Sequence, residues 1–314
     1  MTRYLIERIG QAVIVLWAAF TVTFILLHVL PGDAILIKFQ NPDLGLGPQQ
    51  IAEIRASYGV DRPLWLQYGH AIGSFLSGDF GYSIQAGVPV SESIRANLPP
   101  TLWLTGLGSL LAAVIAMIIA FAASLSPFAW LRALVRSAPA LFVSIPTFWL
   151  GIALIQIFSF RLRLLPVIGA EGWRGLILPV TTLAIPISAP LAQILVRAID
   201  DVATRPFVAV ARAKGATHAW VLWRHVFRNA LPPALTVAGV LFGELLGGAL
   251  ITETVFGLNG IGRLTQDAVN NQDAAVLQAV AVLSAVGFVV VNLGVDLLHP
   301  LLDPRLARKE RVLS

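Results

Sequence analysis

Five long stretches without a charged side chain are the feature of this sequence that most limits what it can fold into. About 20 apolar residues cross the hydrocarbon core of a bilayer, and an ionised side chain at its centre is costly. The stretches run from Ile9 to Leu30, Ala96 to Leu131, Ser137 to Phe160, Gly175 to Val196 and Ala274 to Val295. Since each is long enough to cross, the sequence predicts an integral membrane protein.

A sixth apolar stretch, Ala234 to Phe256, is interrupted only by Glu244 and Glu253. The chain is 57% hydrophobic and 12% charged, whereas about a quarter of the residues of a soluble domain are charged. We therefore predict an all-α membrane protein with six transmembrane helices, the first within residues 1–30. The other five are expected near residues 101–125, 137–160, 175–197, 234–256 and 274–298.

The first span also has one property of a signal peptide, because Arg3 and Arg8 precede an apolar run. The run is longer than the usual apolar region of a signal peptide, and Leu30 to Asp33 lacks the small residues of a cleavage site. We interpret the segment as a membrane helix.

Lysine and arginine predict which side of the membrane each loop occupies, since they are enriched in cytoplasmic loops. Placing the N-terminus inside puts more of them in inner segments than in outer ones, including the six from Arg197 to Arg228. Both termini, and with them the tail 299–314, are therefore predicted to be cytoplasmic. The formal charge of +5 follows from these loops and gives no reason to expect a nucleic-acid partner.

Three segments remain outside the predicted spans. Residues 31–100 form an exterior segment, in which short helices are expected at Pro48–Ser57 and Leu64–Leu76. Residues 198–233 form a basic loop, which we call the inner loop, and residues 257–273 form a short outer loop. The three glycines between Gly257 and Gly262 follow a membrane helix rather than a strand, so they indicate a turn and not a dinucleotide site.

Several kinds of chemistry are absent from the sequence. The chain has no cysteine, and none of its lysines follows a glycine, which excludes the Gly-Lys-Ser/Thr of a phosphate-binding loop. The histidines lack the spacing of a zinc-binding helix. The adjacent Asp200 and Asp201 lie at a membrane boundary, where capping a helix or balancing nearby arginines is the expected role.

The inner loop predicts two short helices. Thr204 and Pro206 favour a helix start, and the helix-forming run Phe207 to Lys214 is expected to end at Gly215 in a left-handed cap. Thr217 opens a second helix that is expected to stop near Pro232 and Pro233. Along this helix the spacing places one set of residues on an apolar face and another on a basic face. The apolar set is Trp220, Trp223, Phe227 and Ala230, and the basic set is Arg224 and Arg228.

Two interpretations of this helix pair stand level on physical grounds. It could lie on anionic lipid, with tryptophan at headgroup depth and arginine drawn to phosphate. It could equally dock in the groove of a soluble partner protein.

A resemblance separates the two interpretations. The inner loop resembles the cytoplasmic "EAA" loop of ABC-importer permeases, in the form found in the peptide, opine and nickel transport family. The matching residues are Ala211-Arg212-Ala213-Lys214-Gly215 and Arg224-His225-x-x-Arg228-Asn229-Ala230-Leu231. The leading Glu-Ala-Ala of the general pattern is replaced by Ala209-Val210-Ala211, as is usual in this branch.

Similar matches extend through nearly the whole chain and are typical of the first permease subunit of such transporters, which resembles the dipeptide and oligopeptide permease B. They include Leu30-Pro31-Gly32-Asp33, Gly59-Val60-Asp61-Arg62-Pro63-Leu64, Gly78-Asp79-Phe80-Gly81, Glu253-Thr254-Val255-Phe256 and Leu302-Asp303-Pro304-Arg305. Their order is specific for the family and not for its solute.

The resemblance implies a bacterial inner-membrane subunit that forms a translocation pore by alternating access and is itself no enzyme. It implies a homologous second permease, two ATPase subunits that hold ATP and magnesium, and an extracytoplasmic solute-binding protein. No cofactor is expected on this chain. The residues assigned to ATPase coupling are Phe207, Ala211, Arg212, Ala213, Lys214, Gly215, Arg224 and Arg228.

Polar residues inside the spans are candidates for the pore or for contacts between subunits. Glu244 is expected either to line the pore or to bond to another subunit, and Glu253 to fix the loop that follows it. Gln193, Gln278 and Asn292 are interpreted as helix-packing residues or as solute ligands. Prolines of the third and fourth spans are expected either to expose carbonyl groups to a cavity or to act as packing kinks, namely Pro139, Pro146, Pro179, Pro186 and Pro190.

The leading hypothesis is an ATP-driven import permease for short peptides or related solutes. An ion-coupled secondary transporter is the alternative, with the intramembrane acids as proton sites, but it leaves the inner loop unexplained. A membrane enzyme would need a converging catalytic set, which the sequence lacks. Di- and oligopeptides, glutathione-like compounds, opines and metal chelates all remain possible solutes.

Overall fold

A computed structural model describes residues 2–29, 47–51, 53, 62–166 and 172–302 of the chain. Its long helices are α1 (Thr2–Val29), α3 (Val90–Leu125), α6 (Ile177–Ala203), α9 (Arg228–Phe256) and α11 (Ala274–Leu302). The shorter ones are α2 (Leu64–Leu76), α4 (Ala129–Ser144), α5 (Thr147–Leu154), α7 (Pro206–Ala213), α8 (His218–Val221) and α10 (Ile261–Asn270). A π-helix follows α5 at Ile155–Arg161 and another follows α8 at Leu222–Phe227, while a 3-10 turn at Trp173–Leu176 precedes α6. One hairpin pairs β1 (Tyr82–Ser83) with β2 (Val88–Pro89) in antiparallel register.

The described residues contain five helices that are long and apolar enough to cross a membrane, and a sixth if a bent pair is counted as one span. The bent pair is Ala129–Ser144 with Thr147–Arg161, whose axes differ by 100°. Pro146 stands at the break as the N-cap residue of α5, in an extended conformation that ends one helix before the next begins. The predicted fold class is confirmed, but the third span is broken rather than continuous.

Two helices continue through pairs of prolines, and one of these pairs, Pro232 and Pro233, was predicted to end a helix. α3 begins at Val90, well before residue 101, and contains Pro99 and Pro100, while α9 contains Pro232 and Pro233. Proline removes one backbone hydrogen-bond donor, but its φ is compatible with a helix. A helix can therefore continue through proline where the residues before and after it are packed in the interior. Ala230 and Ala234, for example, are buried on either side of the second pair.

The chain divides into two compact units, and the larger contains residues 102–258 and 288–314. Within it α6 is the most buried candidate span, with 61% of its apolar window inside the protein. Leu183 of α6 fills the space left by two glycines, since a Cβ on Gly108 or Gly248 would come within 2.9 Å and 2.8 Å of its methyl groups. Because glycine has no side chain, Gly108 and Gly248 let α3 and α9 approach α6 closely, as small residues do between membrane helices.

The smaller unit contains residues 1–101 and 259–287. Aromatic rings join α1 to α2, where Phe20 meets Phe75 at 5.2 Å and Phe24 meets Tyr68 at 5.2 Å, both edge to face. Tyr68 also shares a hydrogen bond of 2.8 Å with the hydroxyl of Thr21. The predicted helix Leu64–Leu76 is confirmed, whereas Pro48–Ser57 lies largely outside the described residues, as does most of the tail 299–314.

The outer loop 257–273 is more ordered than the sequence suggested. Gly257 ends α9 in the left-handed region, with φ of 63°, and helix α10 then occupies Ile261–Asn270. Ile261 and Ala268 are buried on one face of α10. Their spacing of seven residues is the helical pattern that the expectation of a simple loop overlooked.

Candidate functional site

The first helix of the inner loop, α7, begins at Pro206 in its first turn, where the missing N–H costs nothing. The expected cap by Thr204 is wrong. Thr204 is the C-cap residue of α6, and its hydroxyl donates to the carbonyl of Asp201 at 2.8 Å, which closes the end of that helix. Arg205 takes the N-cap position without a side-chain cap.

The end of α7 agrees with the sequence. Gly215 has φ of 86°, the left-handed conformation that favours glycine. Its N–H donates to the carbonyl of Arg212 at 2.9 Å, and the N–H of Ala216 donates to the carbonyl of Ala211 at 3.3 Å. These two bonds form a Schellman cap, which satisfies carbonyls that the helix end would otherwise leave open.

α7 has one anchored face and one bare face. Val208 is 1% exposed and fixes the helix against the larger unit, with Ala211 half-buried beside it. The opposite face presents Phe207 and Val210, which are 39% and 53% exposed, together with Lys214. An apolar surface flanked by a cation on a short helix is suited to insertion into the groove of a partner protein.

Arg212 lies on the anchored side of α7 and not on the bare face. Its guanidinium is 2.9 Å from Nδ1 of His218, whose Nε2 is 3.2 Å from the carbonyl oxygen of Ser124 in α3. A guanidinium only donates, so Nδ1 accepts and the His218 proton sits on Nε2, where it is donated to Ser124. The chain of contacts connects α7 through the loop to the end of α3.

The second helix begins as predicted, with the Thr217 hydroxyl accepting from the N–H of Trp220 at 3.3 Å. The predicted apolar set divides, since Phe227 and Ala230 are buried and the two tryptophans are exposed. Trp220 and Trp223 are 52% and 62% exposed, and the π-helical turn at Leu222–Phe227 interrupts the regular spacing along this helix. The buried residues are Val221, Leu222, Val226, Phe227 and Ala230.

The remaining residues assigned to coupling lie on the surface. Ala213, Arg224 and Arg228 are all exposed. Trp223 stacks on Phe227 with ring centroids 5.4 Å apart, which keeps one exposed tryptophan in a fixed orientation beside them. The inner loop therefore offers a surface of aromatic, apolar and basic groups.

An ion pair lies beside the inner loop. Both guanidinium NH groups of Arg136 in α4 donate to the carboxylate of Asp200 in α6, at 2.8 Å and 2.9 Å. Asp200 thus balances an arginine, one of the two roles that the sequence suggested. The sequence did not identify Arg136 or His218 as site residues, because the pairs lie on separate helices and no short spacing connects them.

The polar groups of the spans occupy different environments. Glu244 in α9 is exposed, on a face that also carries exposed Val240 and Gly247, whereas Glu253 is 1% exposed. The backbone carbonyl of Glu253 accepts from the N–H of Leu258 at 2.9 Å and so helps to close the turn after α9. Glu244 is therefore the acid of α9 that is open to a partner or to solute.

The glutamines of the spans differ in the same way. Gln278 is 8% exposed and donates to the carbonyl of Phe20 at 2.9 Å, which joins α11 to α1 within the smaller unit. Gln193 is half-buried in α6, and Asn292 donates to the carbonyl of Phe288 one turn earlier in its own helix. The geometry of Gln278 favours helix packing over solute binding, whereas the bond of Asn292 stays within its own helix.

Metal ligands do not gather in the parts of the chain that the structure covers. No group of three or more His, Cys, Asp or Glu side chains is positioned there to hold an ion.

Comparison with known proteins agrees with this geometry. Residues 112–308 match the family described as "Binding-protein-dependent transport system inner membrane component", and residues 1–105 match the N-terminal part of such components. The chain is 37% identical to the glutathione transport system permease protein GsiC of Salmonella typhimurium (strain LT2) over 310 residues, which cover 98% of this chain and 100% of the relative. The corresponding protein of Escherichia coli (strain K12) is 36% identical over the same shares.

Solved structures show the same fold. The inward-facing methionine ABC transporter MetNI matches with a TM-score of 0.58 at 18% identity, over 67% of this chain and 96% of that chain. An amino acid ABC transporter solved with histidines matches with a TM-score of 0.50 at 20% identity, over 67% and 94%. The chain belongs to the family of binding-protein-dependent ABC importer permeases, and it is a multi-pass inner-membrane subunit whose family assigns ATP hydrolysis to separate subunits.

Proposed function

We propose that this permease imports short peptides or glutathione-like compounds, with ATP and magnesium bound by two partner ATPase subunits. Its relatives at 36 to 37% identity are named as glutathione transport permeases and are covered along their whole length. A tripeptide and a dipeptide share a backbone, a free carboxylate and an ammonium group, so one pathway suits both. Family membership leaves no place for the ion-coupled alternative.

The bare face of α7 supports the position of the ATPase. Phe207 and Val210 expose apolar surface that water solvates poorly, and a cleft on the ATPase would bury it. Lys214 adds a charge at the rim of the same face. Arg224 and Arg228, also exposed, extend the proposed contact along the second helix.

Movement of α7 is proposed to reach the membrane helices by two routes. The first is covalent, since α7 follows α6 with only Thr204 and Arg205 between them. The second runs from Arg212 through His218 to the end of α3. Closure of the ATPase dimer would then displace the spans together, open the pore outward and complete alternating access with the second permease.

The proposed pathway includes the exposed face of α9. A carboxylate facing lipid is costly, so the exposed Glu244 supports contact with solute, water or the second permease. An extracytoplasmic binding protein is proposed to deliver the solute. With ATPases on the inner loop, both termini lie in the cytoplasm, in agreement with the distribution of lysine and arginine.

The test is ATP-dependent uptake of labelled glutathione and of a labelled dipeptide by proteoliposomes holding the complete importer. Val210→Asp places a charge in the proposed apolar contact, and we expect at least a tenfold loss of uptake with ATPase subunits shed or uncoupled. Leu164→Asp, at another exposed apolar position of 58% exposure, is the matched control and should retain uptake.

Two results would contradict the proposal in different ways. Unchanged uptake in Val210→Asp would remove the ATPase from the bare face of α7. Uptake of neither glutathione nor dipeptide by an importer that still couples ATP hydrolysis to its binding protein would reject the solute class alone.

A further inference from the structure

A cavity of about 150 Å³ lies beside the inner loop, within the larger unit. A cavity needs roughly 10–15 Å³ to hold one water molecule, so this one has room for a group of several atoms. Its apolar wall contains Ala123, Val221 and Val226, which are buried. Its polar wall contains Arg132 and Arg136 of α4, Asp200 of α6, Arg212 of α7, and His218.

The polar wall carries excess positive charge. Asp200 is the carboxylate among the lining residues, and it is already held by both NH groups of Arg136. The contact of Arg212 is with a ring nitrogen of His218, which accepts a hydrogen bond without neutralising the guanidinium. The charges of Arg132 and Arg212 are therefore not balanced by a lining carboxylate.

The side of the cavity formed by α4 bears the marks of a membrane interface. Phe128 and Trp130 are 59% and 67% exposed immediately before Arg132, and Leu134 is 56% exposed just after it. Exposed aromatic rings beside arginine are typical of headgroup depth. Arginine at this depth meets the phosphates of the cytoplasmic leaflet, because the inner loop is the predicted cytoplasmic side.

We propose that this cavity binds a phosphate group, held by Arg132 and Arg212 across the gap between α4 and α7. Guanidinium forks donate paired hydrogen bonds to phosphate oxygens, and no carboxylate without a partner lines the cavity to oppose the anion. The buried apolar wall suits the glycerol end of an anionic phospholipid, and inorganic phosphate offers the same oxygens.

A bound phosphate would connect two different elements of the larger unit. Arg132 belongs to α4, while Arg212 belongs to the helix that the ATPase is proposed to push. The anion would hold α7 against α4 and so make the position of α7 depend on the ligand. This inference concerns binding, and it does not rest on the solute or on transport.

The test is titration of the delipidated complete importer in detergent with three probes, followed by calorimetry. The probes are dihexanoyl phosphatidylglycerol, dihexanoyl phosphatidylcholine and inorganic phosphate. We expect saturable binding of phosphatidylglycerol and an affinity about tenfold lower in Arg132→Gln, as for loss of a charged hydrogen bond. Arg132→Lys keeps the charge and loses the forked pair of donors, so its affinity should lie between that of the unchanged protein and that of Arg132→Gln.

Arg197→Gln is the matched control. It removes the same charge from an exposed position near the end of α6 that carries Asp200. Arg197 does not line the cavity. Its affinity should change less than about twofold, because a charge outside the cavity acts only through screened attraction.

The arms of the titration identify the source of the phosphate. Binding of phosphatidylglycerol with little binding of inorganic phosphate assigns the site to lipid, and equal binding assigns it to free phosphate; both support the cavity as a phosphate site. If neither phosphatidylglycerol nor inorganic phosphate bound saturably, the proposal would be overturned. Equal losses of affinity in Arg132→Gln and Arg197→Gln would also overturn it.

Discussion

Two short helices of this permease lie between long ones, and they differ in how much of their surface is buried against the rest of the protein. α7 has 8 residues and connects α6 to the rest of the inner loop, while α10 has 10 residues and lies between α9 and α11. α10 buries Ile261, Gly262 and Ala268, whereas α7 buries Val208 alone. Within the described residues, α10 is therefore held by packing along one face, whereas most of the surface of α7 is exposed.

The polar fastenings differ in the same sense. Asp273, just after α10, is 2% exposed and accepts from the hydroxyl of Ser83 at 2.6 Å. The N–H of Ile261, at the start of α10, donates to the hydroxyl of Thr101 in a buried bond of 2.8 Å. The contact of α7, from Arg212 to His218, is exposed. Buried hydrogen bonds hold α10 rigidly without a partner. The exposed contact and the exposed apolar surface of α7 are suited to a helix that binds a partner protein.

The largest expected effect is on the buried fastening. Asp273→Ala removes the buried acceptor of the Ser83 O–H and of the N–H of Val276, although the Ser83 oxygen still accepts from the N–H of Ala86, and it should lower the free energy of unfolding by about 3 kcal/mol. Thermal unfolding of the detergent-solubilised protein measures the loss. Asp267→Ala, at an exposed position of α10, is the control and should change stability by less than about 0.5 kcal/mol. Equal effects of the two changes would remove the contrast between the helices.

A smaller effect is expected where α7 is anchored. Val208→Ala removes two methyl groups from a side chain that is 1% exposed, at a cost of about 2 kcal/mol. Because α7 has few other contacts, the loss should appear as faster amide exchange in residues 206–216, with little change in the unfolding temperature. Val269→Ala, at a 56% exposed position of α10, should leave exchange there unchanged. A drop in global stability without faster local exchange would show that α7 is as firmly integrated as α10.

The smallest effect on stability separates strain from function. Gly215→Ala and Gly257→Ala each place a side chain at a positive φ, of 86° and 63°, at a cost of roughly 1–2 kcal/mol. The two changes should lower stability equally, but only Gly215→Ala should reduce the uptake gained per ATP hydrolysed, because it loosens the end of α7. Equal loss of coupling in both variants would assign the effect to general destabilisation.

The sequence predicted those parts of the fold that depend on local chemistry. Charge-free stretches located the spans, and Gly215 and Thr217 marked the ends of helices because a left-handed glycine and a capping hydroxyl act within a few residues. For Pro146 the sequence suggested either a carbonyl open to a cavity or a packing kink, and the size of the break could not be predicted because it depends on what packs on each side.

The parts that were missed depend on distant residues or on irregular helices. The π-helix at Leu222–Phe227 interrupts the regular spacing of the second inner helix, and of the predicted apolar set Phe227 and Ala230 are buried while Trp220 and Trp223 are exposed. The link from Arg212 to His218 and Ser124 unites three elements. No periodic pattern records such a meeting, because it is decided by how the helices pack.

Leu183 has a consequence for which parts of the permease can move. Its δ methyl groups occupy the space that a Cβ on Gly108 or Gly248 would take, so α3 and α9 both pack closely on α6 at this point. Sliding α3 or α9 along α6 would either lose this close contact or force the Leu183 side chain to move. The trio should therefore travel as one rigid block during transport, and any gap that admits solute must open along its outer surfaces and not between its members.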